Sequence, residues 1–270
     1  FPYTTLFRSL VYVMEILRQG GRFSLPDVQW PGTAYAVAEG RVRIPLWQVK
    51  GLGERFLEAW ERARARGPFQ GWQDFVGRTE PDPSDAGLLA RAGALDGFFP
   101  NRHEAVWRAG QVRRPTRRGG RGSRTGDLFS ETETVTADSF AGMGPEQMAA
   151  EEAELLGFPV TQSPLELWLS GLDRSNTVPV RELGRYVGRE MQIAGIQVCH
   201  RLHRTLKGEL MKFVSIADET GMAETVLFPD AYRNYGWELS RHRAARLRVL
   251  VEWDDTRSGL SLTVTEARVN

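Results

Sequence analysis

"MKFVSIADETGMAETVLFPDAY", residues 211–232, decides the fold of the last part of this chain. The run through Ile216 and the run from Met222 to Phe228 are apolar, β-branched and of strand length, and Asp218 to Gly221 between them reads as a tight turn. Pro229 then opens a helical stretch, because proline at the first helical position gives up an N–H that would have no partner anyway. Working outward, "MQIAGIQVCHRLHRT" precedes these runs, and "ARLRVLVEW" and "LSLTVTEARV" follow them, joined around "DDTRSG". Five strands with one helix between the third and fourth is the order of an OB-fold, a small partly open barrel. This barrel is expected over 189–270, behind a helical connector at 146–188.

Upstream the periodicity is helical. Apolar spacing from Val11 to Gln19 fits a helix, Pro26 and Pro31 hold "RFSLPDVQWPG" extended, and Val42, Ile44 and Leu46 alternate as a short strand or extended lead-in. In "VKGLGERFLEAW", Val49 to Trp60, two glycines stand directly before an amphipathic helix. Phe56, Leu57, Trp60 and Ala63 share one face, while Glu54, Arg55, Glu58, Glu61 and Arg62 share the other. Burying Trp60 and its large neighbours is worth roughly 2 to 3 kcal/mol each, enough to fix the helix on a partner. Gly67 and Pro68 end it. "PSDAGLLARAGALDGF" follows, with Ser84 or Asp85 as the N-cap, and then "NRHEAVWRAG". The outline from 44 to 110 is an all-helical module, helix, turn, helix, repeated.

Composition limits the partners. The chain has 270 residues, 41% hydrophobic and 26% charged, which is globular and long enough for two modest domains. Thirty-five basic residues against thirty-four acidic leave a net charge of +1, so any nucleic-acid argument has to be local. The single cysteine, Cys199, excludes an internal disulfide and fits a reducing cytoplasm. "LVYVMEIL", Leu10 to Leu17, is too short to cross a bilayer and carries a glutamate, so no membrane partner is expected. The opening "FPYTTLFRS", residues 1–9, reads like a translated sequencing adapter and is set apart, which makes Leu10 the expected interior point of a longer product and 10–43 the segment that leads into the helical module.

Between the two modules, "QVRRPTRRGGRGSRTG" carries six arginines and no acid, and from Asp127 to Glu154 the sign inverts to eight acids and no base. The basic stretch cannot bury enough apolar surface to fold, so 111–145 is expected to be a flexible linker, with a helix from Pro145 to Leu156 stopped by Gly157.

No paired carboxylates beside a nucleotide loop, no P-loop and no nucleophile triad occur, so no catalytic residue is expected. "CHRLH" looks like a metal string, but His200 and His203 on a strand point to opposite faces, and no metal site is expected. Lys50, Gly51, Leu52 and Gly53 admit two readings. One is a simple corner between helices; the other is an anion seat, where glycine lets the backbone approach a phosphate and the next helix offers free amides. Val49 and Leu52 bracket the glycines in the hydrophobic-Gly-hydrophobic-Gly order of a helix-hairpin-helix. On the barrel, Arg201, His203, Arg204, Lys207 and Lys212 stand against one acid, Glu209, either as ordinary solvated surface or as phosphate contacts to a single strand. Phe213, Tyr232 and Tyr235 are the aromatics within reach of stacking, Phe213 with a core role as the alternative.

Taken in order, "YVMEILRQGGRFSLPDVQW", "IPLWQVKGLGE", "GLLARAGALDGF", "ELLGFPVTQSPLE" and "MKFVSIADETGMAETVLFPDAY" resemble the C-terminal region of the bacterial DNA polymerase III alpha subunit, the C-family polymerases. The first resembles the end of that family's fingers domain. The resemblance implies that Lys50 to Gly53 contacts duplex DNA and that the barrel lies near single-stranded template. It implies a clamp-binding peptide in the linker too, where Leu128 and Phe129 match the family's aliphatic and phenylalanine, Asp127 precedes them, and Thr125 replaces its glutamine. Other replisome subunits are implied partners. The polymerase's magnesium-binding palm aspartates would lie upstream of Leu10, so this stretch needs no cofactor and by itself does not polymerise. The error-prone paralogue shares the layout. A non-enzymatic RNA-binding barrel is the alternative from another class, and a nick-sealing or branch-processing protein fits less well because such proteins usually carry the barrel first.

Overall fold

The computed structural model describes residues 3–112, 142–255 and 259–269, with side chains from Leu10 onward. It has two compact units, one of Arg22–Gln162 and one of Phe1–Gly21 with Ser163–Asn270.

The first unit opens with a small sheet: β1 (Phe23–Ser24) lies parallel to β3 (Arg41–Arg43), and β2 (Ala36–Ala38) pairs antiparallel with β3. Glu39 and Gly40 turn the β2–β3 hairpin with φ of 53° and 72°, the left-handed pair that a two-residue turn requires. After a 3₁₀ turn at Leu46–Gln48 come α2 (Glu54–Arg64), α3 (Trp72–Thr79), α4 (Pro83–Arg91), α5 (Arg102–Gly110) and α6 (Pro145–Leu156). Their apolar stripes meet around Phe75, which is fully buried. Phe69 presents its edge to that ring at 5.2 Å and Trp72 stacks on it at 5.7 Å. Trp60 is buried beside them and its indole N–H donates to the Val28 carbonyl at 2.9 Å.

Two local features differ from the sequence reading. The spacing of Trp72, Phe75, Val76 and Thr79 forms α3, a helix not anticipated because it is short and flanked by Gly71 and interrupted by Gly77. Helix α4 is capped neither by Ser84 nor by Asp85: Pro83 takes the first helical position and Asp82 the cap, which leaves the Asp85 side chain for another partner.

The second unit holds α1 (Tyr3–Arg18), α7 (Pro164–Leu169), a 3₁₀ segment at Val180–Tyr186 and the strands β4 (Glu190–Arg204), β5 (Leu210–Ala217), β6 (Met222–Leu227), β7 (Ala244–Asp254) and β8 (Gly259–Val269), with α8 (Pro229–Arg241) between β6 and β7. The strands close into a barrel in the order β4-β5-β6-β8-β7, β7 returning to β4 and β6 running parallel to β8. That is the OB-fold, and the molecule is α+β, a helical region followed by a five-stranded barrel. Ile193, Val214, Ile216, Leu247, Val249 and Leu262 fill the interior. Asp218 closes the β5–β6 turn, Oδ1 accepting from the amides of Thr220 at 2.7 Å and Gly221 at 2.9 Å, Oδ2 from Val180 at 2.8 Å. Among the described residues no helix is long and apolar enough to cross a membrane.

Candidate nucleic-acid interface

The Lys50–Gly53 bend is assembled from three directions. Val49 is buried, Leu52 packs on the helical core, and the Lys50 amide donates to the Leu155 carbonyl at 2.9 Å while Gln48 Nε2 donates to Leu156 at 3.0 Å. Those carbonyls end α6, where helix geometry leaves them without helical partners, so the hairpin and α6 satisfy one another. Gly51 has φ of 88°, a left-handed conformation that selects glycine, and Leu88 Cδ1 lies 3.2 Å from where a Cβ would stand. The Gly53 amide donates to Asp85 Oδ1 at 3.1 Å. Asp85 thus holds one of the amides that the anion-seat reading left free. The amides of Gly51, Glu54 and Arg55 donate to no acceptor among the described residues, and Lys50, Gly51 and Gly53 are exposed. They lie at the positive end of the α2 dipole.

Behind the second turn of the module sits a charge network that the sequence did not signal. Arg102, its side chain 3% exposed, pairs with Asp96 at 2.7 Å and with Glu152 at 3.0 Å. Glu152 is fully buried and also accepts from the amides of Val160 and Thr161 at 2.8 and 2.9 Å. Gly93 has no room for a side chain, since a Cβ would fall 2.6 Å from Arg102 Nη2. Desolvation holds the Asp96 carboxyl above the usual range despite its arginine.

On the barrel, Arg201, His203, Arg204 and Lys207 are exposed on the β4–β5 hairpin. Arg201 pairs with Glu224 and lies 4.5 Å over the Phe213 ring, which is half-buried and outside the barrel core. Arg204 donates to the Gly208 carbonyl at 3.0 Å, holding the loop closed. Lys212 departs from the expectation. It is 1% exposed, with Nζ donating to Ser240 Oγ at 2.9 Å, and burial lowers its pKa to about 8. A strand has two faces, and the register that places Phe213 outward turns Lys212 toward α8. Tyr232 and Tyr235 also depart from it, packing as parts of α8 against the barrel core. Exposed aromatics of this unit include instead Phe228 and Trp253, at the ends of β6 and β7, and Trp237 on α8. Alternation along "ARLRVLVEW" gives no signal for Trp253, which is in phase with the buried Val249 and Val251 and is exposed near the end of β7. Thr125, Asp127, Leu128 and Phe129 lie outside the described residues.

Residues 20–105 match the family model described as a helix-hairpin-helix motif. The error-prone DNA polymerase of Anaeromyxobacter dehalogenans (strain 2CP-C) is 33% identical over 76% of this chain and 17% of its own length. The error-prone DNA polymerase of Symbiobacterium thermophilum is 28% identical over 89% of this chain and 24% of its own, and the DNA polymerase III subunit alpha of Haemophilus influenzae is 25% identical over 93% and 23%. Among solved structures, the mitochondrial single-stranded DNA binding protein Rim1 of Saccharomyces cerevisiae overlaps 30% of this chain and 92% of its own at 18% identity, with a TM-score of 0.25. The chain spans about a quarter or less of the curated relatives it matches. Over that span, with its helix-hairpin-helix region and its barrel, it belongs to the C-family of bacterial DNA polymerases.

Proposed function

We propose that this chain is the DNA-holding, C-terminal part of a cytoplasmic bacterial DNA polymerase, in which the Lys50–Gly53 hairpin grips the backbone of duplex DNA and the barrel takes unpaired template. The observation that carries the reading is the set of open amides at Gly51, Glu54 and Arg55 beside the exposed Lys50. Amides and an ammonium at a helix start suit a phosphate and carry no base information. On the barrel, Arg201, His203, Arg204 and Lys207 supply cations, with Phe213 and Trp253 as stacking faces. Leu128 and Phe129 of the linker dock in a groove of the sliding clamp, with Thr125 in the glutamine position. The higher identity to polymerases named error-prone supports that branch over the main replicase. Polymerisation itself would belong to upstream domains and their magnesium ions.

Fluorescence anisotropy on a primed template at low salt tests the reading. Lys50→Ala is expected to weaken duplex binding about three- to tenfold, equally for unrelated sequences, because one phosphate contact is lost. A chain that binds neither duplex nor primed template at low salt, or that prefers a folded RNA in competition, overturns it.

A further inference from the structure

The tip of the β4–β5 arm is apolar where a solvated turn has no use for it. Thr205 to Glu209 close on themselves: the Thr205 amide donates to the Glu209 carbonyl at 2.9 Å, the Gly208 amide to the Thr205 carbonyl at 2.8 Å, and the Glu209 amide to Thr205 Oγ1 at 3.2 Å. Gly208, with φ of 82°, supplies the left-handed residue of that turn. None of these bonds involves the Leu206 side chain, which is wholly exposed, and Leu202 and Leu210 on the strands below it are exposed as well. A group of exposed apolar side chains, unlike a single one, is the mark of an interaction site. Leu206 forms one side of a wide-mouthed hollow of about 520 Å³, with Met211 and Pro229 as further apolar lining and His203, Arg204 and Lys207 beside them. The carboxylate in that lining, Glu209, is taken by Arg233 at 3.2 Å. The side chains of His203 and Lys207 meet no hydrogen-bond or ion-pair partner among the described residues. The positive charge of the rim is therefore not cancelled from within.

A matching ligand offers a flat apolar face to the floor and negative charge to the rim. A nucleotide of an unpaired strand has both, whereas in a duplex the base faces are covered by their neighbours. We propose that a base of the unpaired template lies in this hollow against Leu206, Met211 and Pro229, with its flanking phosphates on Arg204 and Lys207, an inference that rests on the barrel taking unpaired template. Leucine, methionine and proline are among the side chains that proteins set against bases, and the Met211 thioether adds a polarizable contact to a ring. A wide mouth suits a planar ring laid on the floor. Contact with a ring face alone carries no base identity, so the hollow accepts a template of any sequence.

The test compares binding of the whole chain to two labelled strands of equal length, an oligothymidylate and a strand of abasic sites, by fluorescence anisotropy across a salt series. Leu206→Ala removes only exposed atoms, so the fold is kept. It is expected to weaken oligothymidylate binding about three- to tenfold, to leave the abasic strand unchanged and to leave the salt slope unchanged, because a base contact and no phosphate contact is lost. Leu206→Trp is expected to strengthen oligothymidylate binding alone. Lys207→Ala is expected to weaken both strands equally and to lower the slope of log affinity against log salt by about 0.7, the share of one phosphate on a single strand. Equal loss on both strands with Leu206→Ala overturns the base contact in favour of a role in shaping the arm. No loss on either, while Lys207→Ala still lowers the slope, overturns the hollow, gives the apolar tip to another partner such as a peptide, and leaves the barrel reading standing. A wild-type chain that binds neither strand overturns both readings.

Discussion

Lys212 is a lysine that the fold holds against its own chemistry. Its register partners on either side are Leu202 and Leu227, and Nζ donates to one hydroxyl, Ser240 Oγ. Water stabilises an ammonium far better than that surrounding, so the pKa falls from an ordinary 10.5 to about 8. Between those two values the unfolded chain binds a proton that the folded chain does not, so stability rises with pH across the window, by up to about 3 kcal/mol. Below pH 8 the increment is gone, because the folded lysine is charged there too. Lys212→Met removes the titration. Urea unfolding of the two proteins at pH 8 and at pH 10 is expected to show the wild type gaining relative to the variant, and parallel changes would mean that the buried amine stays charged. His200 on β4 is held below its ordinary pKa first by desolvation, then by the charges of Lys212 and Arg243. None of this was legible in "MKFVSIAD". A lysine in a strand reads as surface until the neighbours across two strands and a helix are known.

At the scale of elements, periodicity carried most of the reading. Apolar alternation and the Asp218–Gly221 turn located β5 and β6, and Pro229 located the start of α8, because those signals are local. Helix α3 escaped because an eight-residue stripe between glycines is too short to stand out. Barrel closure depends on a feature with no local signature, Gly195 in the middle of β4. A Cβ there would lie 2.5 Å from the Ala217 carbonyl oxygen, which belongs to the neighbouring strand's backbone and cannot swing aside. Gly195→Ala is therefore expected to cost about 2 kcal/mol in chemical denaturation, in the range of overpacked cores. A variant as stable as the wild type would mean that β4 and β5 separate at that point without penalty.

For the whole molecule, two cores divide the work: one around Phe75 positions the hairpin, the other, inside the barrel, positions the β4–β5 arm. The Arg102 network belongs to the first. Arg102→Met would leave Glu152 fully buried with amide donors but no cationic partner, and removing one partner of such a pair costs roughly 3 to 5 kcal/mol. Amide hydrogen exchange read by mass spectrometry is expected to quicken in α4, α5 and α6 and to stay unchanged in β4 to β8. Equal acceleration in both would show that the two cores open as one.

The amino-acid order alone determined the five strands of the barrel, the helices other than α3, and how the strands and the helix between them follow one another, because each of these is set by neighbours a few residues away. The tertiary structure alone decided which of the candidate groups face outward. Gly53 meets a carboxylate 32 residues on, and Lys212 meets a hydroxyl 28 residues on. Lys50 meets the carbonyl that ends α6. Availability for a ligand is what remains after such long-range bonds are made, and a chain written in one dimension does not display them.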